Sequence, residues 1–579
     1  MWHFVDLTDA EKHQRRQTLD HYALLAQASL LIPLLLLTIP NLASRLRTRT
    51  RSRSDTRPSS PYLKHASTRP PVLPLPTTPQ ITHFLSSPSP LPGPLRSTNA
   101  TLLLSLLHSL SLLYLSTTAT GPDYLHLTKR LALVAASQLP FLYLLSLKTP
   151  WSPLVLLTGL SWESLNEAHR ALGRIVSFLF LGHTVLYLNF FVRVGVLGKR
   201  IRDWDVVWGL LAVGMYLGMG ATALRAVRER WYALFVGVHV VVAAGVLGAM
   251  WAHVSHVRVF VYEAGVVWVA HGLARWSGTE RLKGRVREVG KELVEVVVER
   301  EQWQGRWGLG HGWRPGQHLY LAMDGGGWPG AVGRNPFSIS SVQEDGEVRC
   351  VMKVMGGNTR KLLAVRGEEK TMRVEGPYGR SDHLQELLGC DRVLFIAGGV
   401  GATFVLPLLR ALIKDGGAAS PARRISAIWA VKEMDDVLWA LKGLESGNLE
   451  GLKEVLTVHC TSADGHPHSR RARGAESHPP NDADEDTQST EGIEMQSLLA
   501  TQTKDENELS DTLHGFTIQQ GRPNLREVVD GAFSHSNVEK VAVYVCGPGG
   551  MGDRARIEVG SHIARGRDVV FWHEEFGLG

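Results

Sequence analysis

Two apolar segments of this chain each carry a pair of histidines at the same spacing. His169 and His183 lie fourteen residues apart in the first segment, and His239 and His253 lie fourteen residues apart in the second. In an α-helix fourteen residues make almost four turns, so the histidines of a pair share one face and are roughly 21 Å apart along the axis. Ionisable residues are rare inside membranes, so a spacing repeated in two segments indicates metal ligands. Two facing helices of this kind would present one imidazole pair near each membrane surface, which suits bis-histidine ligation of two haems.

Seven apolar segments have about the 20-residue length that an α-helix needs to cross a bilayer. The predicted spans are 21–40, 99–119, 129–147, 169–191, 206–224, 232–254 and 257–275. The first and the third contain Pro33 and Pro140, which interrupt helices. Together the segments predict an α-helical membrane bundle.

The basic residues between these spans predict an orientation. Arginines follow the first, fifth and seventh spans, so the positive-inside rule places those loops and the C-terminal half in the cytosol. The loop 193–203 is an exception, because it carries basic residues on the outer side. In this orientation the two histidine-bearing spans run parallel. The expected pairs are therefore His169 with His239 near the cytosol, and His183 with His253 near the outside.

The domain boundaries follow from the division of the chain into an N-terminal half with apolar segments and a C-terminal half without them. The net charge of +7 includes an arginine run at 45–57, which beside a membrane span predicts a cytosolic loop rather than a nucleic-acid-binding arm. The four expected regions are an N-terminal span with a disordered basic loop at 1–98, a di-haem membrane domain at 99–278, a β-barrel at 279–385, and an α/β domain at 386–579 with a disordered insertion at 463–515.

Short strands bounded by glycine and proline predict the β-barrel. One of them carries the run Arg334-Asn335-Pro336-Phe337-Ser338, in which an aromatic ring beside a hydroxyl suits a flavin. Farther along, Gly356, Gly357 and Thr359 open a helix whose backbone amides and dipole suit a pyrophosphate. Each motif alone is more often a turn, but their order favours a flavin site.

The last third begins with a buried strand, a glycine turn and a helix. The turn contains Gly398, Gly399 and Gly401 and is followed by Thr403, and such a turn lets a dinucleotide phosphate approach a helix N-terminus. Further strands follow, the last of which ends in Cys546-Gly547-Pro548. Ligands of parallel sheets bind at the carboxyl ends of the strands, so we expect both glycine turns to border one nucleotide site.

These motifs in this order resemble the ferric reductase and NADPH oxidase superfamily of membrane flavocytochromes b, from about residue 129 to the C-terminus. The similarity to the fungal ferric-chelate reductases (metalloreductases) is carried by Leu157-Thr158-Gly159-Leu160-Ser161-Trp162, Gly521-Arg522-Pro523 and Trp572-His573-Glu574-Glu575-Phe576-Gly577. The implied fold is a ferric-reductase-type bundle of about seven spans followed by a ferredoxin–NADP reductase-like module, which consists of an FAD-binding barrel and an NADPH-binding α/β domain.

The resemblance also implies roles for individual residues. FAD is expected at Arg334, Asn335, Pro336, Phe337, Ser338, Gly357 and Thr359, with Phe576 shielding the flavin until nicotinamide displaces it. NADPH is expected at Gly398, Gly399, Gly401 and Thr403, with Cys546, Gly547 and Pro548 near the nicotinamide. Arg522 is either a ligand of the 2′-phosphate, which guanidinium suits, or a surface residue.

One position departs from the family pattern, because Asn335 stands where the superfamily usually has histidine. Asparagine can donate a hydrogen bond but cannot carry a positive charge. The preceding Arg334 is the residue expected to supply that charge.

The implied function is an oxidoreductase that moves electrons from cytosolic NADPH through FAD and two b-type haems to an acceptor across the membrane, which is expected to be the plasma membrane. No side chain is required as a catalytic acid or base. Chelated Fe(III) is the favoured acceptor, with Cu(II) as a second and with coupling to a metal transporter as a corollary. The alternatives are a superoxide-generating oxidase that uses O2, and an inactive homologue or membrane scaffold.

Overall fold

The computed structural model describes most of the chain. The described residues are 2–39, 41–42, 78–89, 91, 97–149, 152–303, 312–324, 334–355, 357–415, 424–441, 446–462 and 513–575. They form two compact units, and the chain passes from the first to the second between Gly278 and Thr279.

The first unit is helical. Its helices are α1 Asp9–Ala28, α2 Thr78–Ser86, α3 Asn99–Thr117, α4 Tyr124–Ser137, α5 Leu139–Leu145, α6 Pro153–Thr158, α7 Trp162–Arg193, α8 Leu197–Arg200, α9 Trp204–Thr222, α10 Arg225–Arg230, α11 Tyr232–His253 and α12 Arg258–Ser277. Polar side chains satisfy the first backbone amides of several helices. Asp123, for example, accepts from two N–H groups at the start of α4, and Ser161 accepts from Ser164 at the start of α7.

Six helices in the described part of the chain are long and apolar enough to cross a membrane. They are Asp9–Ile39, which consists of α1, a turn and a further helical stretch at 31–39, and Asn99–Thr117, Trp162–Arg193, Trp204–Thr222, Leu234–His253 and Ser255–Ser277. They coincide with six of the predicted spans and confirm the α-helical membrane bundle.

The predicted span 129–147 does not form one continuous helix, so the count of seven is not confirmed. α4 ends at Ser137, and α5 begins at Leu139 with Pro140 in its first turn. A proline has no N–H to donate, and it therefore starts a helix more readily than it continues one. The broken helix nevertheless lies at the centre of the unit, since Ala136 and Leu139 on either side of the break are fully buried.

The loop 41–98, predicted to be disordered, contains the helix α2. The side-chain amide of Asn99, at the start of α3, donates to the carbonyl of Phe84 at 2.9 Å and ties α2 to α3. Thr78–Ser86 is thus helical within a loop that the sequence predicts to be mostly disordered. Residues 43–77 of the same loop lie outside the described residues.

The second unit begins with six antiparallel strands. They are β1 Thr279–Gly290, β2 Leu293–Glu299, β3 His318–Met323, β4 Asn335–Ser338, β5 Glu347–Lys353 and β6 Glu369–Tyr378, with α13 Gly357–Ala364 between the last two. Their order in the sheet is β4-β3-β6-β1-β2-β5. Beyond β4, the N–H of Ser340 donates to the Arg349 carbonyl of β5 at 2.8 Å. The two edges of the sheet therefore meet and close the predicted barrel around an apolar interior.

Six parallel strands form the rest of the unit. They are β7 Arg392–Gly398, β8 Ile425–Val431, β9 Leu456–Cys460, β10 Thr517–Gln520, β11 Lys540–Gly547 and β12 Asp568–Glu575, and the helices are α14 His383–Leu388, α15 Ala402–Asp415, α16 Leu438–Leu441, α17 Ser446–Val455, α18 Leu525–Ala532 and α19 Gly549–Ala564. The strand order is β10-β9-β8-β7-β11-β12, with apolar cores on both faces. A barrel followed by this α/β domain is the predicted reductase-like module.

The order of the parallel strands locates a ligand crevice. From β7 the chain adds β8, β9 and β10 on one side, and then returns to add β11 and β12 on the other. Ligands of such sheets bind at the carboxyl ends of the strands beside this reversal, here β7 and β11. The predicted insertion 463–515 joins the neighbouring strands β9 and β10, and only its residues 513–515 lie in the described part of the chain.

Candidate functional site

The structure brings two of the four singled-out histidines close together. The ring centroids of His169 on α7 and His239 on α11 are 6.2 Å apart. Two imidazoles that bind one metal ion from opposite sides, each through a nitrogen at about 2 Å, have centroids about 6 Å apart. His183 and His253, on the same two helices, are near enough to interact electrostatically. The fold thus places together the residues that the sequence pairs.

Backbone carbonyls orient three of the four rings. Nδ1 of His169 donates to the carbonyl oxygen of Leu142 at 2.9 Å. Nδ1 of His183 donates to the carbonyl oxygen of Thr128 at 2.8 Å, and Nδ1 of His253 donates to that of Asp205 at 2.5 Å. A carbonyl oxygen only accepts, so Nδ1 carries the proton and Nε2 keeps its lone pair for a metal. Outer hydrogen bonds of this kind are typical of metal-binding histidines. The Nδ1 of His239 is buried and has no hydrogen-bond partner among the described residues.

The donor set suits haem better than a bare metal ion. Within the described ranges, no group of three or more His, Cys, Asp or Glu residues could hold an ion. A pair of imidazoles is, by contrast, the full set of axial ligands that a six-coordinate haem requires from a protein. The spacing of His169 and His239 and the oriented Nδ1 protons therefore fit two bis-histidine haem sites.

A glycine on α9 makes room for the ring of His253. A Cβ atom at Gly209 would lie 2.6 Å from Cε1 and 2.8 Å from Nδ1 of this ring, closer than side chains approach. The ring therefore lies directly against the backbone of α9, where the Asp205 carbonyl accepts its proton. The sequence does not mark Gly209, because α9 contains several glycines and only the tertiary contact distinguishes this one.

The flavin motif forms β4 at the edge of the barrel. Asn335 pairs with Leu321 and Ser338 pairs with His318, both on β3. The motif's side chains are at least partly exposed, so they can reach a ligand. Phe576, the aromatic expected to shield the flavin, lies outside the described residues.

Arg334 forms a buried ion pair with Glu375. Its guanidinium donates to Glu375 at 2.5 Å and to Thr279 at 2.6 Å, and the Tyr378 hydroxyl donates to the other oxygen of Glu375 at 2.5 Å. The charged side chains are 7% and 0% exposed. The charge of Arg334 neutralises a buried carboxylate that would be costly to leave unpaired, and its expected role in place of the family's histidine at the flavin stays a prediction. Sequence analysis did not single out Glu375 as its partner.

The proposed pyrophosphate turn has the expected backbone. Gly357 begins α13 with a φ of +54°, which favours glycine. Thr359 is buried, and its hydroxyl accepts from the Met355 N–H at 3.1 Å. The hydroxyl thus fixes the chain entering the helix, and the first backbone amides of α13 are the groups that can bind an anion.

The two glycine turns of the α/β domain touch at the ends of β7 and β11. A Cβ at Gly401 would lie 2.1 Å from the carbonyl oxygen of Cys546, and one at Gly547 would lie 3.2 Å from the Cα of Gly398. Gly399 has a φ of +53°. Only glycine permits this approach, which brings both turns to the start of α15 and its phosphate-binding amides.

The other predicted nucleotide residues occupy different positions. Thr403 is buried, and its hydroxyl donates to the Val400 carbonyl at 2.8 Å, so it supports the turn from within. Burial, reinforced by Glu574, raises the pKa of the Cys546 thiol, which is therefore neutral at physiological pH. Arg522 follows β10, at the opposite edge of the sheet from β12.

Trp429 supports the first glycine turn from the neighbouring strand β8. Its indole N–H donates to the carbonyl of Gly399 at 2.9 Å, and its buried ring packs against Trp439 with centroids 5.8 Å apart. A tryptophan in an apolar strand is typical of a core residue, so nothing in the sequence distinguishes this hydrogen bond.

Two family descriptions match the chain. "Ferric reductase like transmembrane component" matches residues 131–250, and "Ferric reductase NAD binding domain" matches residues 390–559. The first range contains His169, His183 and His239 and ends shortly before His253.

Similar proteins come from fungi. "Ferric reductase transmembrane component 4" of Saccharomyces cerevisiae is 25% identical over 71% of this chain and 57% of its own length. "Probable cell surface ferric reductase kap2" of Aspergillus oryzae is 26% identical over 60% of this chain and 48% of its own. "Ferric/cupric reductase transmembrane component 2" of Saccharomyces cerevisiae is 23% identical over 72% of this chain and 57% of its own. The chain thus spans about half the length of these relatives.

Among solved structures, a flavohemoglobin from Malassezia yamatoensis with bound FAD and heme covers 77% of this chain and 96% of its own, with 14% identity and a TM-score of 0.35. A similarity at this score supports no conclusion about the chain.

The apolar helices and the two matched descriptions define an integral membrane protein that carries a nicotinamide-nucleotide-binding domain. The chain belongs to the ferric reductase superfamily, and it is similar to the fungal metalloreductases of that superfamily.

Proposed function

We propose that the protein is an NADPH-dependent ferric-chelate reductase of the plasma membrane, with its C-terminal half in the cytosol. When bound, FAD would accept a hydride from NADPH, and two b-type haems would relay the electrons singly to chelated Fe(III) on the opposite side. The observation that carries the proposal is the pair His169 and His239, whose rings are 6.2 Å apart. The oriented Nδ1 protons of His169, His183 and His253 support it.

In this scheme the residues of the membrane helices would hold and orient the two haems. His169 and His239 would ligate the inner haem, and His183 and His253 the outer one. No side chain there needs to move a proton, because reduction of Fe(III) transfers one electron only.

The residues of the second unit bind the electron donor. Gly398, Gly399 and Gly401 would cradle the NADPH phosphates, and Cys546, Gly547 and Pro548 would border the nicotinamide, because the two turns touch. Thr403 supports the turn, and Arg522 is assigned to the 2′-phosphate. The FAD site would be formed by Arg334, Asn335, Pro336, Phe337, Ser338, Gly357 and Thr359, with Phe576 as the shielding aromatic.

The relatives support a metal acceptor. Their names specify ferric or ferric/cupric reduction, and one specifies the cell surface. We therefore assign chelated Fe(III) as the acceptor, with Cu(II) as a second, and we infer functional coupling to a metal transporter.

The full-length protein in detergent tests the assignment directly. We expect one FAD per chain and, in the reduced spectrum, two b-type haems per chain. We also expect NADPH-dependent formation of a coloured Fe(II)–chelator complex, and superoxide dismutase should not diminish this colour. One haem or none would contradict the ligand assignment. Loss of the Fe(II) signal on adding dismutase would show that O2, not the chelate, takes the electron.

Removal of the Trp429 hydrogen bond tests the nucleotide site. In a Trp429→Phe variant the turn loses one hydrogen bond worth about 1 kcal/mol, so the Kd for NADPH should rise about fivefold while FAD content stays unchanged. The NADPH concentration that gives half the maximal rate of flavin reduction in rapid-mixing experiments measures it. Trp439→Phe is the matched control, because the indole that donates to Gly399 is that of Trp429 and not that of Trp439. Equal weakening in both variants would show that general packing, not the bond to Gly399, sets the affinity.

A further inference from the structure

Four basic side chains of the first unit form a cluster, the cationic patch, made of Arg15, Arg16, Lys129 and Arg130. Arg15 pairs with Asp123 at 2.9 Å, and Arg16 pairs with Asp20 at 3.3 Å. Arg130 is fully buried, and its described partners are neutral: the Leu115 carbonyl at 3.2 Å, a His126 ring nitrogen at 2.8 Å and the face of Tyr22 at 4.1 Å.

The histidines of this cluster add no positive charge in this arrangement. His126 Nε2 faces the guanidinium of Arg130, and His256 Nε2 faces that of Arg16. A guanidinium only donates hydrogen bonds, so each of these nitrogens must accept one and is unprotonated. Four cations therefore face two carboxylates, and the patch has a net positive charge.

Lys129, like Arg130, has no counterion of its own among the described residues. Among the described residues its ammonium makes no hydrogen bond or ion pair, although it interacts electrostatically with Arg15, Arg16 and Asp123. It is only partly exposed. An anion from outside the chain would reduce the repulsion between a lysine and two arginines held in this way.

The patch adjoins the predicted ligand of the outer haem. The carbonyl that accepts from His183 belongs to Thr128, the residue directly before Lys129, and Lys129 also interacts electrostatically with His183. An anion bound at Lys129 would therefore lie next to the place from which the proposed path delivers electrons.

We propose that the cationic patch is the docking site for the acceptor and that it selects anionic ferric chelates, such as Fe(III) held by polycarboxylates. This inference rests on the proposed function. The step moves one electron and no proton: the electron originates from NADPH, and the chelated Fe(III) becomes Fe(II). Oppositely charged residues beside the exit of a redox path raise the encounter rate of a charged acceptor, and added salt weakens this effect.

Acceptors of opposite charge test the proposal on the full-length protein. We expect Lys129→Gln to lower kcat/KM for Fe(III)–EDTA and ferricyanide, which are anions, by about tenfold at low salt, and not to lower it for the cation hexaammineruthenium(III). Lys129→Arg should retain the preference for anions. Lys199→Gln, which removes an exposed charge on α8, is the matched control and should leave all three rates unchanged.

The other outcomes are also decisive. Equal losses with anionic and cationic acceptors, or the same loss in Lys199→Gln, would overturn a specific docking site. Loss of haem from Lys129→Gln would assign the patch to a haem carboxylate instead. If wild-type protein with NADPH reduces no acceptor, the proposed function itself fails. If Lys129→Gln is poorly folded, the salt dependence of the wild type replaces it, and equal salt effects on the anionic and cationic acceptors would overturn the proposal.

Discussion

His183→Ala is expected to yield a protein with one b-type haem in place of two. The substitution removes the Nε2 ligand and leaves His253 as the only imidazole at the outer site, whereas His169 and His239 lie roughly 21 Å away along the helices and keep their geometry. NADPH-dependent reduction of chelated Fe(III) should fall by at least about a hundredfold, because the path to the outer surface loses its last carrier. Haem per chain and the reduced spectrum of the purified variant measure the first effect, and the Fe(II)–chelator assay measures the second.

A histidine outside the two predicted haem-binding pairs provides the control for this variant. His108 lies on α3, and its ring nitrogen contacts Gln138 at 3.0 Å, so His108→Ala removes an imidazole from the same unit without touching either pair. It should retain two haems. Retention of both haems in His183→Ala, or an equal loss in His108→Ala, would refute the outer-site assignment.

The pairing of the histidines was predictable, because it depends on helix periodicity and on the direction of the spans. The partners of their Nδ1 protons were not. Leu142 lies beyond the break at Pro140, and Thr128 and Asp205 belong to helices α4 and α9 that carry none of the four histidines. A backbone carbonyl has no residue-type signature, so only the packed helices reveal which one faces a ring.

The second unit shows the same limit. The glycines at the ends of β7 and β11 were predictable from the pattern of strand, glycine turn and helix, since a close approach of backbones requires them. The ion pair of Arg334 was not predictable, because sequence order places it beside Asn335, whereas the barrel places its guanidinium against Glu375 on β6. Likewise, the span 129–147 has the composition of one helix, but Pro140 divides it.

Gly209→Ala is expected to disturb the outer haem without removing any ligand. The added Cβ would lie 2.6 Å from the His253 ring, so the ring must move and its hydrogen bond to the Asp205 carbonyl must lengthen. Displacement of such an outer hydrogen bond costs about 10- to 100-fold in metal affinity. The purified variant should therefore lose most of its outer haem, and any remainder should show an altered reduction potential, while the inner haem is unchanged.

Gly214→Ala on the same helix is the matched control for Gly209→Ala, because a Cβ there meets no atom within 4 Å. Both substitutions raise the helix propensity of α9 equally, by about 1 kcal/mol, so that contribution cancels in the comparison. Haem per chain and a potentiometric titration distinguish the two variants. If Gly209→Ala keeps two haems with unchanged potentials, the close contact between α9 and His253 does not position the ligand. If Gly214→Ala loses the outer haem as well, the loss arises from a change in the helix α9 and not from displacement of the His253 ring.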